Sequence, residues 1–210
     1  MKKLLILLLF VFAALTARAQ ERDPAYVQTI SERTDRNMSG LGITDPEATV
    51  RVKAAIVGHY YFLNDLEAQR DSLRTLARDP QSGVTAEEVA ALVDARLYRH
   101  HFAFLSELMV DLNDEQVEGV KNALTYNVLH VTYDSYLDMI PTLTDVQKRR
   151  MYTWLWEARE LAMDAGSSGE KHGVFGKYKG RINNYLSREG YDLTRERDAW
   201  NERIRQRQTE

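Results

Sequence analysis

From Thr44 to Leu186 the apolar residues of this chain recur at three- and four-residue spacing, the signature of helices that bury one face. Met151, Trp154, Leu155, Ala158, Leu161, Ala162 and Ala165 show it most cleanly, falling at i, i+3, i+4, i+7, i+10, i+11 and i+14. No run of comparable length alternates with period two, so strands are not needed. Start signals agree with the pattern, because a Ser, Thr, Asn or Asp followed three residues later by Glu or Gln can cap a helix reciprocally. Thr44–Glu47, Thr85–Glu88, Asn113–Gln116 and Thr144–Gln147 all have this form, and Pro46 falls where a missing N–H costs nothing. The pattern predicts helices over 23–38, 45–79, 85–111, 114–140, 144–165, 174–188 and 194–207. The 114–140 segment is apolar on most sides, which predicts a central helix. The fold class is therefore all-α, a single bundle of about six to seven helices. Residues 20–192 form its helical domain, and 193–210 a charged helical tail.

The first twenty residues break the pattern. Lys2 and Lys3 precede twelve unbroken apolar residues, Leu4 to Leu15, and Ala17-Arg18-Ala19 supplies the small residues that a signal peptidase reads. Twelve residues are too few to cross a bilayer core of about 30 Å, which takes about 20. The expectation is a signal peptide over 1–19 cleaved after Ala19, a periplasmic or secreted mature protein, and no stable membrane insertion afterwards. Cleavage removes Lys2, Lys3 and Arg18 and no acid, moving the formal net charge from −3 to −6. With no Cys in 210 residues, disulfide scaffolds, thiolate metal sites and cysteine nucleophiles are excluded together. An acidic exported chain is also a poor partner for nucleic acid.

Candidate chemistry concentrates between Trp154 and Asp192. Five of the eleven glycines fall between Gly166 and Gly180. Lys171, His172, Lys177, Lys179 and Arg181 put five cationic or titratable groups into eleven residues of an otherwise acidic chain. Glycines let backbone N–H groups turn toward a ligand, and a following helix N-terminus favours anions. A loop over 166–173 leading into a helix from Val174 would set Lys177, Arg181 and Asn184 on one face. The ligand-binding candidates are Lys171, Lys177, Arg181 and Asn184. His172 is the candidate for proton transfer and Asp164 its orienting carboxylate. The same pattern also suits a solvated basic face neutralised by Glu157, Glu160 and Asp164. No nucleotide-binding or metal-spaced motif accompanies these residues, and His100 and His101 would point about 100° apart on a helix. No cofactor and no metal are expected. Eleven Tyr and three Trp suit sugar faces and equally suit a core with wet margins.

The run Ala162-Met163-Asp164-Ala165-Gly166-Ser167-Ser168, continuing through Lys171-His172 and Phe175-Gly176-Lys177-Tyr178-Lys179-Gly180-Arg181 to Leu186, resembles a secreted all-helical family of unknown function. The likeness extends over roughly residues 25–192. Members of that family occur beside glycan-degrading enzymes in polysaccharide-utilisation loci. The resemblance implies an exported role in glycan capture or processing, with a saccharide, such as a uronate-containing one, as partner. It implies no catalytic residues. A second likeness involves Leu112-Asn113-Asp114-Glu115-Gln116 and Leu143-Thr144-Asp145-Val146-Gln147. Both resemble the LTxxQ pattern of small helical periplasmic chaperones, which implies a chaperone or protein-interaction module as the alternative function. A hydrophobic staple with a capping box accounts for the same residues.

Overall fold

A computed structural model describes residues 22–209. The signal peptide expected over 1–19, with its cleavage site, lies outside the described residues. Among the described residues there are eight helices and no strand, one helix more than the upper end of the sequence expectation. They are α1 (Pro24–Met38), α2 (Pro46–Ala77), α3 (Ala86–Leu108), α4 (Asp114–Leu124), α5 (Val128–Met139), α6 (Asp145–Met163), α7 (Ser168–Arg188) and α8 (Leu193–Thr209). None is long and apolar enough to cross a membrane.

The capping signals explain most boundaries. Thr85 with Glu88, Asn113 with Gln116 and Thr144 with Gln147 each form a reciprocal box at the start of α3, α4 and α6. At α2 the cap is Asp45 rather than Thr44; its carboxylate accepts from the Glu47 N–H, and Pro46 takes the first helical position. Leu112 and Leu143, which precede two of these boxes, are both buried, and Leu112 shares the first core with Val117, the N4 residue a staple requires. Gln116 Nε2 donates to the Leu41 carbonyl and Gln147 Nε2 to Glu189, so the LTxxQ-like residues serve helix initiation and packing.

The extra helix comes from a break inside 114–140. Thr125 ends α4, and Tyr126 and Asn127 then take left-handed backbone angles, φ 57° and 55°. The Asn127 N–H reaches back to the Asn122 carbonyl at 2.8 Å and the Tyr126 N–H to the Ala123 carbonyl at 3.2 Å. That is a Schellman-type ending, with Tyr in the position usually held by Gly. The break explains why the segment reads as apolar all round. Val117, Val120 and Leu124 of α4 join a first core with Ile30, Val52, Ile56 and Phe104. Leu129 and Tyr136 of α5, with Ile140 just beyond it, join a second core with Leu155, Phe175, Ile182 and Leu186. Two short helices each bury a different face, and no single central helix exists.

Helix α6 joins the two cores. Met151, Leu155, Ala158 and Ala162 are fully buried, as their spacing predicts, and Met163 at its end belongs to the first core. The expected 166–173 loop is corrected as well. Ser167 and Glu170 form another reciprocal capping box, and α7 begins at Ser168, with Gly169, Gly173, Gly176 and Gly180 inside it. The charged tail forms α8, which packs on α5 and α7 without burying any residue fully. Polar clamps hold it: Trp200 Nε1 donates to Asp138 at 2.6 Å, and Arg207 grips the same carboxylate with two nitrogens. Arg203 caps the Asp138 and Met139 carbonyls at the C-terminus of α5, where the helix dipole favours a cation.

Candidate functional site

Polar side chains are buried where the first core meets α6 and α7. Arg159 on α6 is wholly inaccessible and donates to Glu118 at 2.6 Å, to Asn122 at 2.8 Å and to Glu160 at 2.9 Å. Lys121 lies 3.1 Å from both Glu118 and Glu160, closing the cluster. Burial pushes the Glu118 carboxyl up, but Arg159 and Lys121 outweigh it and hold the group below its ordinary range. Charges buried this deeply persist only when each is paired.

Two histidines on neighbouring helices continue the polar layer. His59, 1% exposed, directs Nε2 at the Met163 carbonyl at 3.0 Å and Nδ1 at His100 Nε2, also at 3.0 Å. A carbonyl only accepts, so His59 carries its proton on Nε2 and accepts from His100 at Nδ1. Burial drives the His59 pKa down to about 4, and His100 is lowered by burial too. Lys171 is the third member. Its ammonium donates to the Leu124 carbonyl at 2.9 Å, and the Met163 carbonyl lies 3.5 Å away. Those are the last carbonyls of α4 and α6, so two helix C-termini converge on one cation. Burial still lowers Lys171 to about 8.

The layer reaches solvent at His101. Its Nδ1 sits 2.8 Å from Asp164 Oδ2, and that hydrogen bond raises the imidazole pKa above its ordinary value. Nε2 lies 3.7 Å from Glu160, too far for a hydrogen bond, which leaves that nitrogen without a hydrogen-bond partner among the described residues. Asp164 Oδ1 is buried without a hydrogen-bond partner. Together they form an imidazole oriented by a carboxylate, the arrangement that serves proton transfer. Among the described residues no serine or threonine hydroxyl bonds to His101.

His101 and Asp164 open onto a groove of about 980 Å³ between α3, α6 and α7. One wall is aromatic: Tyr98 and Phe102, 68% and 52% exposed, stand edge to face at 4.9 Å. Exposed Leu161 extends the apolar surface. The polar lining is mostly acceptor, with Asp94, Glu160, Asp164 and Glu170 against Arg70 and Lys177. Arg70 is engaged with Glu67 at 3.0 Å.

Of the residues singled out in the sequence, Asp164 and Lys177 line this groove. Lys171 lies behind it, buried against helix carbonyls. His172 is exposed elsewhere on α7, stacked on Tyr126 at 5.7 Å. Arg181 is held 3.5 Å from Glu157 and 4.5 Å over the Trp154 ring, and neither Arg181 nor exposed Asn184 lines the groove. Asp164 therefore pairs with His101 rather than with His172. The sequence offers His101 only as the neighbour of His100, in a pair that would not share a metal, and nothing local marks Tyr98 or Phe102; His101 meets Asp164 only through tertiary packing. Among the described residues, no group of three or more His, Asp or Glu is arranged to hold a metal ion.

The all-helical chain matches the model of a protein family described as "Protein of unknown function (DUF3826)" over residues 27–206, and it belongs to that family. The match takes in α8 as well as the groove. No curated protein matches the chain.

Proposed function

We propose that the protein is an exported saccharide-handling protein that binds a glycan in the groove between α3, α6 and α7, with His101 as its proton-transfer group. One observation carries this reading: an exposed aromatic pair, Tyr98 and Phe102, stands beside a carboxylate-oriented imidazole on the same wall of an open groove, with the Phe102 and His101 rings edge to face at 5.1 Å. A sugar ring has an apolar face that stacks on aromatics and an edge of hydroxyls that donate to carboxylates. Asp94, Glu160 and Asp164 supply such acceptors. Four carboxylates against two cations favour a neutral, hydroxyl-rich stretch of chain over a uronate at this position. The likeness of residues 154–192 to a secreted family found beside glycan-degrading enzymes supports the same class.

A glycan array probed with residues 20–210 tests the reading, followed by calorimetry on the best binder. Phe102→Ala and Tyr98→Ala are each expected to weaken binding about tenfold, as the loss of an aromatic contact of about 1 kcal/mol or more implies. Failure to bind any glycan, or binding indifferent to both variants, contradicts it. Mass spectrometry of the native envelope protein tests export separately, with Gln20 as the expected N-terminus.

A further inference from the structure

A second concave surface lies across α7 from the groove. It is a pocket of about 360 Å³ between α5, α7 and α8. Its polar chemistry is the reverse of the groove's. Lys179 and Arg197 line it, and no carboxylate does. Lys179 forms no ion pair among the described residues, and the nearest carboxylate to Arg197 is its neighbour Asp198, at 3.8 Å. Neutral polar groups complete the wall, and two hydroxyls, Thr132 and Ser135, keep oxygens able to accept from a ligand hydroxyl. Asn183 Oδ1 receives the Tyr136 hydroxyl at 2.5 Å, which leaves the Asn183 NH₂ as the outward group. Ser135 spends its proton on the Val131 carbonyl. Trp200 donates its N–H to Asp138, so what it adds to the pocket is an apolar ring. The walls thus offer two cations, an amide donor and two aromatic surfaces, in a volume at the lower end of small-molecule sites.

We infer that this pocket binds a single carboxylate-bearing sugar unit, with Lys179 and Arg197 on the carboxylate, Asn183 on a ring hydroxyl and Trp200 against the apolar ring face. A guanidinium fork takes a carboxylate with two parallel hydrogen bonds, and Lys179 adds a point charge. The site is separate from the groove and does not depend on the reading given for it.

The test is a titration of the mature protein with D-galacturonate, D-galactose and inorganic sulfate, followed by the indole N–H resonance of Trp200. Galacturonate is expected to shift that resonance saturably in the millimolar range, with affinity falling as salt is raised. Lys179→Met and Arg197→Met should each weaken the response about tenfold, the loss that follows one charge-assisted hydrogen bond. His101→Ala should leave it unchanged, which separates this site from the groove. No response to galacturonate overturns the inference. So does an equal response to galactose, since charge is then not read, or to sulfate, since the site then takes any small anion. A response abolished by His101→Ala also overturns it, because the pocket would then not be a separate site.

Discussion

The groove and the pocket are cut into opposite sides of one helix and differ in almost every chemical respect. Lys177 lines the first, Lys179 and Asn183 the second. Two residues of α-helix rotate a side chain by about 200°, so one short stretch of α7 serves both. On the groove side α7 covers a floor of buried polar groups: His59, Lys171, Arg159 and the His101–Asp164 pair. On the pocket side it covers an apolar core, Leu129, Leu155, Ile182 and Leu186, and polar groups appear only at the rim. Buried histidine, lysine and arginine each carry a desolvation cost that an apolar layer avoids. The contrast shows that the groove rests on a floor sensitive to protonation, whereas the pocket rests on packing and on the clamps that hold α8.

The largest expected effect removes the support common to both. Phe175 on α7 is 1% exposed in the second core. Phe175→Ala should cost about 3–5 kcal/mol of stability, read by chemical denaturation, and weaken ligand responses on both sides of the helix. A variant that lost only one would show that the two surfaces do not depend on one helix.

Acid should separate them. His59 has a folded-state pKa of about 4 against about 6.5 when unfolded, so the unfolded chain binds the extra proton first. Stability is therefore lost as pH falls from about 6.5 toward 4, by up to about 3 kcal/mol. His101 runs the other way. Its raised pKa gives stability that is full below the unfolded value and fades as pH rises through the folded one. On the pocket side Arg207, with Trp200, holds the Asp138 carboxyl down to about 2, so that stabilisation is full above the ordinary value of 3.8 and is lost as pH falls from there through about 2. Hydrogen exchange at pH 4 should show α2 and α3 loosening while the α5–α8 contact stays protected. Equal protection of both regions would break the comparison.

The particular elements show what the sequence discloses. Three capping boxes and the buried stripe of α6 rest on contacts within one helical turn, so spacing alone reveals them. Ser167–Glu170 has the same form, yet the glycines that follow it suggest a loop. Gly173, Gly176 and Gly180 have open space where a Cβ would be, so they lie on the exposed part of a helix held by Phe175, Ile182 and Leu186. Each costs the helix up to about 1 kcal/mol, which packing of the opposite face offsets. The break at Tyr126 leaves no sequence signal, because Tyr is not the residue such a turn selects. Asp164 and His101 are 63 positions apart, and their partnership exists only once α3 and α6 pack.

The smallest effect concerns that break. Tyr126 holds φ 57°, a conformation that costs a residue with a Cβ about 1–2 kcal/mol. It is 46% exposed, and its ring contact is the stack on His172. Tyr126→Gly should therefore raise stability by about 1 kcal/mol in urea denaturation and leave both ligand responses intact, since neither surface includes this turn. A loss of stability would mean that the Tyr126–His172 stack outweighs the strain.

The most direct test of the account follows the imidazole of His101 by proton–carbon NMR while the glycan selected on the array is added. The account predicts that the His101 ring resonance shifts saturably, together with Phe102 and Asp164, at the affinity measured by calorimetry. His130, bonded to Asn122 away from the groove, should stay unmoved. Saturable glycan binding that leaves His101 and Phe102 unperturbed would contradict the account.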